Sequence, residues 1–335
     1  ATATAVGASR VASVASGLPT YVSQLGHGEQ SSLPPGVIEG GMGWWFAVRA
    51  KASAMQALVD AQLNAPSGGK GPSYRVLGSH MLISMLDADR LTTPSEQVGY
   101  VPDQECGLWI PLVVWSGIIP RIVFWMPYVF INSSAGMCTG REVWGYPKEI
   151  SSFVIPRHPD TADEFLVNAT IFRTLDTRTM GTFEPILRIS RTSGAPSSGF
   201  VAGAWSGFAE AAKAVGKELA DNGVHFSVHG VEEGIAFAKL GLSMNVPLAN
   251  LKQFRDAQDP TRACYQAIVE APIRMDSFGG GWFLPGGYTL EVTPAQSHQI
   301  VTDFGLPGNV VPVELAFWMR MGFSAMPGKA VWTAT

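Results

Sequence analysis

The longest apolar stretch of this 335-residue chain, Gly107 to Ile131, contains one charged residue, Arg121. Its length would suit a transmembrane helix. It contains three prolines, Pro111, Pro120 and Pro127. Proline disrupts the interior of a helix, and the Val, Ile and Trp around it favour strands. We therefore predict two buried strands, about Leu108–Trp115 and Arg121–Ile131, joined by a turn at Ser116-Gly117, and no membrane partner.

The composition narrows the class of protein further. A hydrophobic fraction of 46% supports a sizeable core and excludes disorder for the bulk of the chain. The net charge of −4 offers no basic face for nucleic acid. The 37 glycines and 23 prolines favour turns and extended segments over a helical bundle. Three widely spaced cysteines, Cys106, Cys138 and Cys264, predict free thiols in a reducing compartment, and hence a cytoplasmic protein.

Along the chain, an Ala/Ser-rich tail (residues 1–30) precedes one predicted domain (31–335). A short helix is predicted at Ser53–Leu63, and helical spacing returns late, in a segment of about 197–250 whose clearest helix covers about 209–220. Strands are predicted at Trp44–Arg49, Tyr74–Met85, Gly145–Ile155, Phe165–Phe172, Ala263–Arg274, Tyr288–Val292 and Val310–Met321. Without a regular βαβ alternation, this order predicts an α+β fold.

The sequence offers little evidence for a cofactor or metal site among its short motifs. No phosphate-binding loop and no HExxH zinc motif occurs, so no cofactor is predicted. Gly279-Gly280-Gly281 is interpreted as a hairpin turn before Trp282. His225 and His229 are four residues apart, but zinc would need a further ligand such as Glu232 or Glu233, so surface or capping histidines are the better interpretation.

One of the eight lysines has an unusual context. Lys148 follows the driest part of the chain, in the string Gly140-Arg141-Glu142-Val143-Trp144-Gly145-Tyr146-Pro147-Lys148. Burial disfavours the ammonium form of a lysine, and a neutral amine can form a Schiff base with a ketone. The iminium can then accept electrons as CO₂ leaves a β-keto acid, or as an aldol bond forms or breaks. The alternative is a lysine whose head group reaches water at a strand end.

The same string, Gly140-Arg141-Glu142…Tyr146-Pro147-Lys148, resembles the signature of the acetoacetate decarboxylase family, in which the lysine after Tyr-Pro forms the Schiff base. A second segment, Glu105-Cys106-Gly107-Leu108-Trp109-Ile110-Pro111, resembles the family segment that places a glutamate in the active site. The resemblance covers about Gly43 to Pro156 and is weaker from Gln253 onward. It implies a β-rich α+β domain, a barrel or double sheet with helices outside, assembled as a homo-oligomer.

The resemblance implies roles for residues of both segments. Lys148 would be the nucleophile, and Glu105 the acid/base or electrostatic partner; from the residues alone, Glu105 is a capping or turn carboxylate. Arg141 and Glu142 are predicted to form an ion pair that fixes the strand carrying Lys148. Tyr146 and Trp109 are predicted to bind substrate or support the site, and Trp144 to be a wall or packing residue. In a chain this rich in aromatic residues, the alternative for Trp109 is a place in the core, as for Trp115, Phe124 and Trp125.

The chain departs from the family's pattern at three places. Classical members have two consecutive lysines, whereas Lys148 is followed by Glu149, which an extended strand would point to the opposite face. They also carry an arginine just before the first core strand, and the equivalent stretch, Gly40-Gly41-Met42-Gly43, has none. The segment of about 197–250 has no counterpart in short members and is interpreted as a helical insertion.

Three functional hypotheses follow. The first is a Schiff-base lyase that decarboxylates a β-keto acid, acetoacetate or a bulkier analogue, through Lys148. The second is a Schiff-base aldolase or dehydratase that acts on a keto acid and an aldehyde, since a missing arginine removes the expected anchor for a substrate carboxylate. The third is a binding protein for an apolar small molecule, without catalysis.

Overall fold

The computed structural model describes residues 18–24, 26–28, 30–96, 98–116, 119–194, 205–221 and 245–334. Within these ranges no helix combines the length and the apolar character needed to cross a membrane. The described strands are β1 Gly36–Arg49, β2 Tyr74–Val76, β3 His80–Thr92, β4 Tyr100–Ser116, β5 Ile119–Ile131, β6 Lys148–Val154, β7 Glu164–Ile171, β8 Thr182–Ser193, β9 Asn245–Arg255, β10 Ala263–Phe283, β11 Gly287–Val292, β12 Val310–Ala325 and β13 Lys329–Thr333.

The helices of the described ranges are few and short. They are α1 Ala52–Val59, α2 Ser134–Thr139, α3 Phe208–Asp221 and α4 Ile300–Phe304, with π-helical turns at Asp60–Asn64 and Gly140–Trp144 and 3₁₀ turns at Ala65–Ser67 and Pro159–Thr161. The helix predicted at about 209–220 is thus confirmed as α3. Of the predicted insertion at about 197–250, residues 197–204 and 222–244 lie outside the described residues, as do His225, His229 and the first 17 residues of the tail, and residues 245–250 begin the strand β9.

All thirteen strands belong to one mixed sheet, in the order β13-β10-β9-β5-β6-β7-β8-β11-β12-β1-β3-β4-β2. Two further pairings, β10 with β12 and β4 with β5, join strands that are distant in this order, so the sheet closes on itself. Most neighbours are antiparallel; β5 runs parallel to β6 and to β9. The predicted α+β class is therefore confirmed, with short helices at the sheet's periphery.

The apolar stretch forms β4 and β5, as predicted, paired antiparallel. Pro127 lies at a register shift, between the pairs Leu108↔Tyr128 and Ile110↔Trp125. Such an irregularity tolerates a residue without an N–H donor, because the ladder is already interrupted there. The predicted turn at Ser116-Gly117 lies partly outside the described residues. These two strands supply much of the core, including Leu108, Ile110, Leu112, Val123 and Phe130.

Two strand predictions need correction. The predicted strand Tyr74–Met85 is two strands, β2 and β3, because Gly78 takes a positive φ of 78° between them. Gly279-Gly280-Gly281 is not a hairpin turn: it lies inside β10, where the pairing with β12 shifts register between Phe278 and Gly281. The glycines therefore form a bulge in a continuous strand. The alternating pattern ended at Arg274, which explains why the sequence placed the strand's end too early.

Candidate active site

Lys148 and Glu105 meet across one intervening strand. Lys148 begins β6 and lies opposite Val129 of β5, while Glu105 on β4 lies opposite Ile131 of the same strand. Their side chains point into one cavity, and Lys148 Nζ is 2.5 Å from Glu105 Oε2. Both are largely buried, with exposures of 12% and 21%. The interpretation of Glu105 as a turn or capping carboxylate is wrong, because Glu105 lies within a continuous strand.

The first glycine of the signature string makes room for the lysine. A Cβ atom at Gly140 would lie 2.7 Å from Lys148 Cδ and 2.9 Å from Cε, closer than real Cβ atoms approach. Gly140 opens the π-helical turn that continues α2, and its carbonyl accepts a hydrogen bond from the Tyr146 amide at 3.1 Å. The backbone of this turn at Gly140 therefore packs directly against the aliphatic part of the Lys148 side chain.

The second glycine reverses the chain ahead of the lysine. Gly145 has a φ of 81°, and its amide donates to the Arg141 carbonyl at 3.2 Å. A Cβ there would also lie 2.6 Å from Lys252 Cα on β9, so both backbone conformation and close packing require glycine. Across Pro147, the Lys148 amide then donates to the Tyr146 carbonyl at 2.8 Å. This tight turn aims Lys148 into the cavity at the first residue of β6.

Arg141 supports the lysine differently from the prediction. Its Nη1 donates to the backbone carbonyl of Lys148 at 2.9 Å. In the described part of the chain no ion pair joins Arg141 to Glu142, and Glu142 instead acts electrostatically on Lys252. The predicted Arg141–Glu142 pair is therefore wrong. Arg141 fixes the strand that carries Lys148 by holding its carbonyl directly.

The cavity around the pair has a volume of about 250 Å³, which corresponds to about eight water molecules in the liquid. Its apolar lining comes largely from β1, β3, β10 and β12, with Ile38, Leu86, Leu91, Ile273 and Phe323. Among the described residues that line it, Lys148 is the only Lys or Arg. Arg90 lies at the rim: its guanidinium stacks on Tyr100 at 4.3 Å from the ring centroid and pairs with Glu39 at 3.4 Å.

Tyr146 and Trp144 line the cavity as predicted and are both buried. Lys148 Nζ is 5.6 Å from the centroid of the Tyr146 ring. Burial raises the pKa of the Tyr146 phenol, the Glu105 carboxylate raises it further, and the neighbouring Asn250 opposes the shift. Tyr146 is thus a neutral wall. Trp109 lies outside the cavity lining; its Nε1 donates to Ser84 Oγ at 2.7 Å and its ring packs edge-on against Phe124.

Asp103 is a cavity residue that the sequence analysis missed. It precedes Glu105 by two residues on β4, so both side chains lie on the same face. Asp103 is only 3% exposed, and its Oδ1 accepts a hydrogen bond from Ser133 Oγ at 3.1 Å. Burial raises the pKa of its carboxyl to about 6, with Glu105 adding to the shift and Lys148 and Ser133 opposing it. The period-two spacing of the two carboxylates was the signal available in the sequence.

Glu149 lies on the other face of β6. Its Oε1 is 2.7 Å from His298 Nε2, and His298 Nδ1 is 2.8 Å from Ser297 Oγ. The His298 ring lies between Tyr128 and Phe130, with centroid distances of 6.2 and 6.0 Å. The residue at the family's second-lysine position therefore joins β6 to the segment before α4 and takes no part in the cavity.

Comparisons with known proteins place this geometry on a known fold. No family model and no curated protein matches the sequence. Among solved structures, an acetoacetate decarboxylase from Legionella pneumophila matches with a TM-score of 0.59 and 12% identity over 96% of this chain and 94% of that one. An acetoacetate decarboxylase-like enzyme from Sphingomonas wittichii RW1 matches with a TM-score of 0.56 and 13% identity, over 93% and 98%.

A third match is the enduracididine biosynthesis enzyme MppR, in complex with the condensation product of pyruvate and imidazole 4-carboxaldehyde. It has a TM-score of 0.52 and 12% identity over 91% of this chain and 92% of that one. Sequence identities this low support a shared fold but do not determine which reaction the chain catalyses. These likenesses cover nearly the whole chain in each case, and the chain has the acetoacetate decarboxylase-like fold.

Proposed function

We propose that this chain is a member of the acetoacetate decarboxylase-like enzymes, and that it decarboxylates a β-keto acid through a Schiff base on Lys148. The single observation that carries the proposal is the largely buried Lys148–Glu105 pair, 2.5 Å apart at the wall of a cavity large enough for a small keto acid. An amine, a carboxylate within hydrogen-bond reach and a partly closed apolar space are what Schiff-base chemistry requires.

In this mechanism Glu105 takes a proton from the Lys148 ammonium, and the free amine attacks the substrate ketone. The carbinolamine hydroxyl takes this proton back from Glu105 and leaves as water, and a cationic iminium forms. The bond between the α-carbon and the carboxylate then breaks, its electron pair moves into the iminium to give an enamine, and CO₂ departs. Glu105, reprotonated from solvent, gives a proton to the enamine carbon and so restores an iminium. Addition of water to this iminium releases the ketone and returns Lys148 as its ammonium. The first proton transfer joins two groups already at hydrogen-bond distance.

The apolar wall supports the proposed step in which charge disappears. A carboxylate is neutralised when it leaves as CO₂, so low-polarity surroundings disfavour the ground state more than the transition state. The apolar residues Ile38, Leu86, Leu91, Ile273 and Phe323 line the same cavity as Lys148 and Glu105. The same wall favours substrates with apolar side chains, including analogues bulkier than acetoacetate.

The test is reductive trapping with a matched pair of variants. Purified protein is treated with acetoacetate and cyanoborohydride, and the modified peptide is identified by mass spectrometry, with CO₂ release measured in parallel. We expect labelling at Lys148, and loss of both labelling and CO₂ release in Lys148→Arg, which keeps the positive charge but lacks a primary amine. Lys252→Arg is the control, because Lys252 is a lysine outside the cavity whose pKa burial lowers. Labelling at Lys252, or no labelling across a panel of keto acids, would overturn the proposal and favour a non-catalytic binding protein.

A second candidate reaction keeps Lys148 and changes the chemistry. The match to an enzyme in complex with a condensation product of pyruvate and an aldehyde favours aldol condensation and dehydration. Incubation with pyruvate and an aromatic aldehyde distinguishes the two. A condensed product, with Lys148 labelled and no CO₂ from β-keto acids, would replace the decarboxylase proposal with this one.

A further inference from the structure

Asp103 occupies a defined place relative to the reacting lysine. Along β4, Gly107 is level with Lys148, because both are paired with Val129, and Glu105 comes next on the same face at the lysine's head group. Asp103 follows two residues further on. Since same-face positions on a strand are about 7 Å apart, Asp103 lies beyond Glu105 as seen from the lysine. A substrate bonded to Lys148 Nζ would extend into the space that Asp103 lines.

Asp103 is a buried polar residue that faces the cavity. Its one hydrogen bond among the described side chains is with Ser133, the residue that caps α2, and a Cβ at Gly136 would lie 3.4 Å from its Oδ1. The charged groups that act on it are Lys148 from β6 and Glu105 from β4 itself. Tyr100 and Tyr146 are the other titratable residues that line the cavity. No described Lys or Arg apart from Lys148 lines it.

The protonation of Asp103 follows from this setting. Desolvation disfavours the carboxylate, and the neighbouring Glu105 adds repulsion, so the pKa of Asp103 is raised to about 6. A protonated carboxyl is a hydrogen-bond donor, whereas a carboxylate only accepts. Near and below pH 6 the cavity therefore holds a neutral O–H donor about 7 Å along the strand from Glu105.

We propose that Asp103, in its protonated form, donates a hydrogen bond to the carboxylate of the β-keto acid carried on Lys148, and so selects monoanionic keto acids with an apolar side chain. The inference rests on the proposed decarboxylase function. In this role Asp103 keeps its proton while the carbon–carboxylate bond breaks, the electron pair enters the iminium and CO₂ leaves. A neutral donor suits this step better than a cation. An ion pair would stabilise the starting carboxylate more than the transition state, in which its charge is disappearing.

The test compares an anionic and a neutral probe of the same lysine. Cyanoborohydride trapping is measured with acetoacetate and, separately, with acetone, from pH 5 to pH 8, in wild type, Asp103→Asn and Asp103→Ala. For wild type we expect the half-saturating acetoacetate concentration to rise roughly tenfold per pH unit once Asp103 ionises, because only the protonated fraction binds. The half-saturating acetone concentration should lack this rise.

The two variants separate a donor from a structural side chain. Asp103→Asn retains an N–H donor that does not titrate. The rise in the half-saturating acetoacetate concentration that Asp103 ionisation causes in wild type should therefore be absent in this variant. Asp103→Ala should weaken acetoacetate at pH 5 by about 10- to 100-fold, as expected for a lost hydrogen bond to a charged group, and leave acetone unchanged. Circular dichroism establishes that both variants fold.

Four outcomes would overturn the inference. Asp103→Asn could keep the wild-type pH profile, or Asp103→Ala could weaken acetone as much as acetoacetate, which would make Asp103 structural. A selective loss of acetoacetate in Arg90→Ala and not in Asp103→Ala would assign the role to the rim arginine. If wild type is labelled by neither probe, the proposed function falls and the inference with it, whereas the first three outcomes leave Lys148 chemistry intact.

Discussion

Lys148 and Glu149 are neighbours on β6 and have opposite surroundings. Lys148 lies 2.5 Å from Glu105 inside a cavity, and Glu149 lies 2.7 Å from His298 on the opposite face. His298 is 7% exposed and enclosed by aromatic rings, while the Glu149 side chain is 37% exposed. The two pairs have similar lengths, but of the four residues only Lys148 and Glu105 are among the described residues that line the cavity. Access to this cavity, more than the ion pair itself, is what favours the proposed catalytic role for the first pair.

The comparison also bears on how a lysine becomes reactive. Burial disfavours the ammonium form, but a carboxylate at hydrogen-bond distance favours it. The hypothesis that dryness alone supplies the neutral amine stays a prediction, and the structure adds a proton acceptor to it.

The largest difference between the two faces should come from matched Glu→Gln variants. Glu105→Gln removes the proton acceptor beside Lys148 and should lower kcat/KM for a β-keto acid by about 10²- to 10⁴-fold, the usual contribution of a positioned acid/base group. Glu149→Gln, the matched control on the other face, should stay within about twofold, because its side chain does not reach the cavity. Steady-state kinetics check both. Equal losses in the two variants would show that the faces are coupled through the strand.

The sequence predicted the pair on the Lys148 face of β6, and it did not predict the partner of Glu149 on the other face. The string from Gly140 to Lys148 and the segment after Glu105 identified two residues that the fold places 2.5 Å apart, although β5 lies between their strands. The strands β4 and β5 were predictable because proline and β-branched residues exclude a helix locally. Glu149–His298 and the bulge in β10 were not predictable, because both depend on pairing between distant segments.

Stability should respond to pH through Asp103. In the unfolded chain its carboxyl ionises near pH 3.8, whereas in the folded protein its pKa is about 6. The folded state therefore binds more protons between these values, and the protein loses stability as pH rises through that window. Asp103→Asn cannot ionise, so its advantage over wild type should grow from pH 4 to above pH 6, reaching about 3 kcal/mol. Thermal unfolding at pH 4 and pH 8 measures it, and a constant difference would contradict a buried neutral acid.

The Gly140 contact with Lys148 gives a smaller and more local effect. Gly140→Ala places a methyl group within 2.7–2.9 Å of Lys148 Cδ and Cε, so the lysine side chain must shift from its position beside Glu105. We expect kcat/KM to fall by about 10- to 100-fold, since displacements of about 1 Å cost this much when reacting groups must be aligned. Gly136→Ala would not be a clean control because it borders Asp103, but Gly216→Ala on α3, where an added Cβ meets nothing within 4 Å, is one. Unchanged kinetics in Gly140→Ala would mean that the Lys148 side chain can accommodate the added methyl group.

The smallest effect on activity should come from His298, although its effect on stability is measurable. His298→Gln cannot bridge Glu149 and Ser297 as the two ring nitrogens do, and it removes the ring that packs against Tyr128 and Phe130. We expect a loss of about 1–3 kcal/mol of unfolding free energy, the usual cost of leaving buried polar groups without partners. The value of kcat/KM should stay within about twofold, because Lys148 is held from its own face by Arg141 and Gly140. Denaturant unfolding and kinetics on the same preparation check this. A large kinetic loss at full stability would show that the Glu149–His298 pair positions the lysine through β6.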